Sequence, residues 1–270
     1  MAQKMTEENK PFVMATLSGV AYKDPEEASK TFEQFRFTEY KFIDRDGAQC
    51  YLIWNDDDAV VIFRGTEPKQ WSDVKADLNA FKRRGRYKHG YVHGGFQGEL
   101  DKIWDDLDTE LSVLEDRNIH VTGHSLGGAM ATLAAKRISE EYDNVHCLYT
   151  YGSPRVANRK WCKSLEVPHY RFQNNNDVVC KVPFWMMGYR HHGTNVYMNY
   201  KGRVVKYRWW RRIIDNLRGR LRALFKFQLF DGIYDHDIAG GYADKLQALW
   251  FEGREKIRKR ANVGHDRKNV

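Results

Sequence analysis

The chain has 270 residues, 42% of them hydrophobic, with no internal repeat or low-complexity linker, and this predicts one large α/β domain over residues 1–270. No apolar run is long enough to cross a bilayer, and residues 1–12 lack the apolar core of a signal peptide. The net charge of +8 favours anionic partners, either a membrane surface or nucleic acid.

These features lead us to expect a protein that is cytoplasmic or peripheral to a membrane, while a trimmed leader or export by another route stays open. The cysteines are spread along the chain without a CxxC pair, so we expect reduced thiols rather than a disulfide framework. They are Cys50, Cys147, Cys162 and Cys180.

Helical and strand patterns alternate along the chain. Residues 12–36 are predicted to be helical with a break at Asp24-Pro25, and residues 39–65 are predicted to form three strands, with a tight turn at Asp46-Gly47. An amphipathic helix is predicted over 97–116, because its large apolar residues recur on one face. The next predicted elements are strand 119–122, helix 127–140, strand 145–152, helix 157–165, strand 169–173 and a last helix at 243–251. This alternation implies a mostly parallel sheet with helices on both faces.

The stretch "IHVTGHSLGGAMATLAAKRI" (119–138) changes from a β-branched strand into an alanine-rich helix, with Ser125 at the turn. Gly123 and Gly127 flank the serine at positions where a Cβ would collide with the neighbouring strand or helix. The pattern predicts a strained serine with its Oγ exposed at the carboxyl edge of the sheet, near the positive end of the next helix dipole. An ordinary glycine-rich turn is the alternative.

A serine nucleophile needs a histidine base and a carboxylate that orients this base, and in such a fold both follow the serine in the chain. Asp177 follows the predicted strand 169–173, so its carboxylate can reach the edge where Ser125 lies; a plain polar turn is the alternative. His236 lies in a loop before the last helix and is the preferred base, with His192 as the fallback.

Seven short blocks occur in one order over roughly residues 40–250: "VVIFRGTEP", "YVHGGF", "VTGHSLGGAMATL", "YGSPRVAN", "NNDVVCKVP", "YRHHGTNVY" and "DHDIAGGY". Through them the chain resembles the class 3 lipases, the fungal-type triacylglycerol lipase family. The resemblance implies an α/β-hydrolase fold and a triad of Ser125, Asp177 and His236. It makes Thr66 the first oxyanion residue and Leu126 the second, through its backbone N–H. It implies no metal and no cofactor.

Three segments bear on how a substrate would reach the site. The family places its lid at about residues 68–78, where apolar residues share a helical face; a plain surface helix is the alternative. Residues 184–187, "FWMM", are interpreted as part of an acyl pocket or as simple core. The segment 206–227, within a basic helical insertion at about 199–232, suits an anionic membrane interface or a helix docked on the domain.

The sequence therefore predicts a serine carboxylic-ester hydrolase that cleaves acyl glycerols, a triacylglycerol lipase, through an acyl-enzyme. Its expected partners are a lipid ester substrate and an anionic membrane or lipid–water interface. Nucleic acid is not expected, because no nucleic-acid motif accompanies the charge. A phospholipase or a short-chain esterase is the alternative among enzymes. A non-catalytic membrane-binding homologue is the alternative from another class, and the intact triad argues against it.

Overall fold

The computed structural model describes residues 3–65, 81–87, 89–205 and 236–253. A seven-stranded sheet lies at the centre, with its first three strands antiparallel and the following ones parallel. Its strands lie side by side in the order β1 (Glu39–Arg45), β2 (Ala48–Trp54), β3 (Asp58–Phe63), β6 (Asn118–His124), β7 (Val145–Tyr151), β9 (His169–Asn174) and β11 (Thr194–Met198). A second, antiparallel sheet contains the short strands β4 (Lys82–Arg84), β5 (Tyr91–His93), β8 (Ala157–Asn158) and β10 (Tyr189–Arg190).

The hairpin between β1 and β2 turns at Asp46-Gly47, as predicted. Both residues have positive φ, 49° and 81°, which is the backbone that a two-residue hairpin turn requires. In β2, Leu52 faces one core cluster and Tyr51 faces the other, and both side chains are fully buried. Each such side chain contributes about 1.5–3 kcal/mol by leaving water, which explains why this strand is apolar on both faces.

Helices cover both faces of the central sheet. On one face are α1 (Lys10–Val20) and α2 (Pro25–Gln34), and on the other are α3 (Gly94–Leu111) and α4 (Leu126–Glu141). The predicted break before α2 is confirmed, because Asp24 caps this helix by accepting a hydrogen bond from the Glu27 N–H at 3.0 Å. None of the described helices is both long and apolar enough to span a bilayer.

Several helix boundaries differ from the prediction, and α3 ends at Leu111 instead of residue 116. α3 begins at Gly94 because the His93 side chain caps it, accepting a hydrogen bond from the Phe96 N–H at 3.4 Å. The helix predicted over 157–165 is only α5 (Arg159–Ser164), because residues 157–158 pair as a strand of the second sheet. The last helix begins with a π-helical turn at Ile238–Ala243 and continues over 244–253.

The parallel strands set the position of the candidate site. Ser125 follows β6, Gly152 follows β7 and Asp177 lies three residues after the end of β9. Because neighbouring parallel strands end at the same edge, these three residues come together there although they are far apart in the chain.

Candidate active site

Ser125 lies at a strained turn between β6 and α4. Its φ is 59° and its ψ is −128°, a backbone conformation that L-residues rarely adopt. A Cβ on Gly123 would lie 2.4 Å from the carbonyl of Gly127, and a Cβ on Gly127 would lie 2.2 Å from the carbonyl oxygen of Phe63. Both glycines are therefore required by close backbone approach, as the sequence predicts, and the first turn of α4 begins directly behind the serine.

The Ser125 side chain is fully buried, which differs from the predicted exposure of Oγ. Its Oγ has no hydrogen-bond partner within the described part of the chain. Gly65 packs so closely on this turn that a Cβ there would lie 3.2 Å from the Ser125 Cβ and 2.4 Å from the Tyr22 hydroxyl. The motif determines the backbone at the turn, whereas the burial of the side chain depends on which residues pack over it.

Asp177 is fully buried, and its carboxylate accepts several hydrogen bonds. The Val179 N–H donates to Oδ1 at 2.8 Å, while the Tyr242 hydroxyl and His236 Nδ1 donate to Oδ2 at 2.5 Å and 3.0 Å. Burial raises the pKa of Tyr242 well above its usual range, and the Asp177 charge raises it further, so the phenol keeps its proton and donates it. The Asn174 N–H in turn donates to the Tyr242 hydroxyl at 3.0 Å.

His236 is buried next to Asp177 at the end of β7. A Cβ on Gly152 would lie 2.8 Å from both Asp177 Oδ2 and His236 Nδ1, so only glycine leaves room for the pair. The preceding residue, Tyr151, accepts a hydrogen bond from the Ser125 N–H at 2.9 Å. Consecutive residues at one strand end thus contact the serine turn and the acid–histidine pair. The structure therefore pairs Asp177 with His236 as the sequence predicts and places the Ser125 backbone at the same strand end, but Ser125 Oγ makes no hydrogen bond to His236.

The backbone of His236 is held by a second histidine, which the sequence prediction missed. His124 Nε2 donates to the His236 carbonyl oxygen at 2.6 Å, and the Tyr22 hydroxyl donates to His124 Nδ1 at 3.0 Å. Burial, followed by the proximity of His236, keeps the pKa of His124 well below its usual range, so its ring is neutral and one nitrogen can accept. The position of His124 beside Ser125 in the motif was the available signal.

Comparisons with known proteins agree with this geometry. The family model for Lipase (class 3) matches residues 60–187, which include Ser125 and Asp177. A Rhizomucor miehei lipase propeptide complex superposes with a TM-score of 0.62 at 25% identity, covering 71% of this chain and 67% of that chain. Residues 60–187 are thus similar to the class 3 lipases. His236 lies outside the matched segment, so its place beside Asp177 rests on the structure.

Two curated relatives are similar over shorter stretches. The toxin TseL of Vibrio cholerae is 29% identical over 208 residues, 62% of this chain and 32% of that protein. The secreted mono- and diacylglycerol lipase A of Penicillium camembertii is 44% identical over 73 residues, 26% of this chain and 24% of that protein. The matched segments thus span a third or less of these relatives.

Other residues predicted from the class 3 lipase resemblance have different outcomes. Leu126 is the first residue of α4, so its N–H lies in the helix's first turn beside Ser125. Thr66, the lid segment 68–78 and the basic segment 206–227 lie outside the described residues, and so does most of the insertion predicted at 199–232.

His192, the fallback base, does not lie next to Asp177. Its Nδ1 is 3.1 Å from Nδ1 of His169, and its neighbour His191 donates from Nε2 to the carbonyl of Cys180 at 2.8 Å. Burial lowers the pKa of all three histidines. The structure therefore brings His236, and not His192, to the carboxylate. His93 caps α3 and stacks on Phe96, which agrees with the supporting role that the resemblance implies.

Residues 184–187 are not part of the core, which corrects one of their two interpretations. Trp185–Met187 form a single 3₁₀ turn just before β10, and the side chains of Phe184, Trp185, Met186 and Met187 are all exposed.

Proposed function

We propose that this chain is a serine ester hydrolase that cleaves acyl glycerols through Ser125, Asp177 and His236. The buried hydrogen bond of 3.0 Å between Asp177 and His236, next to the strained turn that carries Ser125, is the observation that supports it most directly. Structural packing alone does not account for a serine at positive φ between two glycines that have no room for a side chain.

In the proposed mechanism His236 takes the proton from the Ser125 hydroxyl as the oxygen attacks the ester carbonyl carbon. The carbonyl oxygen gains the negative charge and is stabilised by the N–H of Leu126, together with Thr66 as the family pattern implies. His236 then donates its proton to the leaving alkoxide, and the acyl group stays on the serine. Water then attacks the acyl carbon while His236 takes a proton from it. His236 returns this proton to the Ser125 oxygen as the acyl–serine bond breaks, which releases the fatty acid and restores Ser125.

Asp177 has two roles in this scheme. Its carboxylate accepts from His236 Nδ1, which leaves Nε2 as the atom that takes the proton, and its charge stabilises the imidazolium that forms. The hydrogen bonds from Val179 and Tyr242 hold the carboxylate in place, so that its orientation does not depend on the substrate.

Acyl glycerols are the proposed substrates because residues 60–187 match the class 3 lipase model and a similar protein is a secreted mono- and diacylglycerol lipase. The same chemistry cleaves other esters, so substrate preference needs its own measurement. Rates on p-nitrophenyl esters of increasing acyl length, on glycerides and on phosphatidylcholine, each with and without a lipid–water interface, would separate a lipase from a phospholipase or a short-chain esterase.

The hydrolase proposal is tested with a fluorophosphonate probe. The wild-type chain should be labelled on Ser125, and Ser125→Ala should lose labelling and at least about 10⁴-fold in kcat for ester hydrolysis. Ser139→Ala, which removes a hydroxyl that donates to the Lys136 carbonyl within α4, is the matched control and should keep both. Equal thermal unfolding of the three proteins would show that folding is intact, and unchanged turnover by Ser125→Ala would contradict the proposal.

A further inference from the structure

The most exposed apolar side chains near the candidate site lie in one turn. Phe184 is 62% exposed, Trp185 59%, Met186 79% and Met187 46%. They follow Asp177 on the loop that leaves the carboxyl end of β9. Leaving four large apolar side chains in water at one place is unfavourable, and monomeric proteins seldom do so without a partner.

Cationic side chains lie against this turn. The Arg190 guanidinium lies 5.9 Å from the centre of the Trp185 ring and donates to the Trp185 carbonyl at 2.7 Å. Lys82 Nζ lies 5.2 Å from the centre of the Tyr189 ring. A Cβ on Gly188 would lie 2.8 Å from the same Lys82 Nζ atom. Lys82 therefore connects β4 to the turn.

Phe81 is half exposed, and the Arg83 guanidinium lies 5.2 Å from the centre of its ring. Successive side chains of a strand point to opposite faces, so Arg83 lies on the other face of β4 from Lys82. We define Lys82 and residues 184–190 together as the docking patch. It combines an outward apolar turn with two cations, Lys82 and Arg190.

The docking patch has no acidic residue to balance its charge. The sequence contains no Asp or Glu between 78 and 98 or between 178 and 214. In the described part of the chain, neither Lys82 nor Arg190 forms an ion pair with a carboxylate. The patch is therefore complementary to an anionic partner.

We infer that the docking patch is the surface through which this protein binds an anionic lipid–water interface. This inference rests on the proposed action on lipid esters and adds to it the residues that make contact. Tryptophan, phenylalanine and methionine on a convex turn can enter the region of the headgroups and acyl chains, while the cations behind them meet anionic headgroups. A protein partner would match the apolar surface too, but the unbalanced charge favours a uniformly anionic surface.

The test measures sedimentation of the protein with vesicles of phosphatidylcholine alone or mixed with phosphatidylserine. Ser125→Ala protein is used throughout, so that binding is read without hydrolysis. Trp185→Ala/Met186→Ala should bind both kinds of vesicle about tenfold to a hundredfold more weakly. Lys82→Gln should lose about fivefold on anionic vesicles only. Salt at about 1 M should weaken the binding of the parent protein to anionic vesicles.

The control is Val113→Ala/Lys30→Gln, which removes an apolar and a cationic side chain that are exposed far from the patch. Val113 precedes β6 and so lies at the amino end of the parallel strands. This variant should bind vesicles like the parent protein, and all variants should unfold at similar temperatures.

Equal vesicle binding by the patch variants and the control would overturn the inference, and so would absence of vesicle binding by the parent protein. A patch variant that instead changes the sedimentation coefficient without lipid would identify a protein–protein surface and would also overturn it. Failure of the hydrolase proposal is seen separately, because the wild-type chain would then hydrolyse no ester while patch-dependent vesicle binding persists.

Discussion

Gly152→Ala perturbs the candidate triad without removing any of its groups. The added Cβ would lie 2.8 Å from Asp177 Oδ2, 2.8 Å from His236 Nδ1 and 2.9 Å from His236 Cε1, where an ordinary contact begins at 3.4 Å. The pair must therefore move by about 0.6 Å. Gly152 has φ of 59°, and an alanine in this left-handed region adds about 1–2 kcal/mol of backbone strain.

The expected result is a loss of about 10²-fold to 10⁴-fold in kcat for ester hydrolysis. The lower bound corresponds to misplacing a reacting group by about an ångström, and the upper bound to losing the orienting carboxylate. We would measure initial rates on a monomeric p-nitrophenyl ester and the rate of fluorophosphonate labelling, both well below the melting temperature. The two rates should fall together, because both need His236 to activate Ser125.

Gly98→Ala is the matched control for this substitution. Gly98 lies inside α3, and a Cβ there meets nothing within 4 Å. This variant should keep its activity and gain about 0.5–1 kcal/mol of stability from the better helix propensity of alanine. A folded Gly152→Ala protein with wild-type kcat would refute the assignment of Asp177 and His236 as a working pair.

Three further predictions concern the supporting groups. Tyr242→Phe removes the hydroxyl that donates to Asp177 Oδ2, and should lower kcat about tenfold and stability by about 1–3 kcal/mol; an unchanged kcat at reduced stability would make Tyr242 only structural. Burial lowers the pKa of His93 to about 4, so between about pH 6.5 and 4 the unfolded chain binds a proton that the folded chain does not. The free energy of unfolding should therefore fall by up to about 3 kcal/mol more over this interval in the wild type than in His93→Asn, and parallel urea-denaturation results at these pH values would contradict it. Burial raises the pKa of Cys147 and Cys162 to about 12, so iodoacetamide near pH 8 should modify the urea-unfolded chain at least about a hundredfold faster than the native chain, as read by mass spectrometry; equal rates would contradict the buried placement.

The sequence predicts six of the seven strands of the central sheet and the pairing of Asp177 with His236. β2 and β3 are long enough for an apolar pattern, and the spacing of glycines around Ser125 has one steric explanation. The order of strands then places Asp177 at the same edge, because parallel neighbours share their carboxyl ends.

Other features of the structure could not be predicted from a local sequence pattern. The strands of the second sheet are only two or three residues long, so they show no periodicity. The contact of Tyr242 with Asp177 joins residues 65 apart, and that of His124 with the His236 carbonyl joins residues 112 apart. Such contacts depend on how loops cross the end of the sheet, and so does the burial of Ser125.

In the candidate site Asp177 and His236 are already hydrogen-bonded to each other, whereas the Ser125 hydroxyl is buried. His236 is held at its ring by Asp177 and at its backbone carbonyl by His124, and both partners are buried. Hydrogen bonds in a low-dielectric interior hold their geometry well when every member is satisfied, so binding of an ester does not have to assemble the pair. The remaining requirement is access to Ser125. The docking patch begins on the loop that carries Asp177, so the proposed lipid contact directly follows the acid of the proposed triad in the chain.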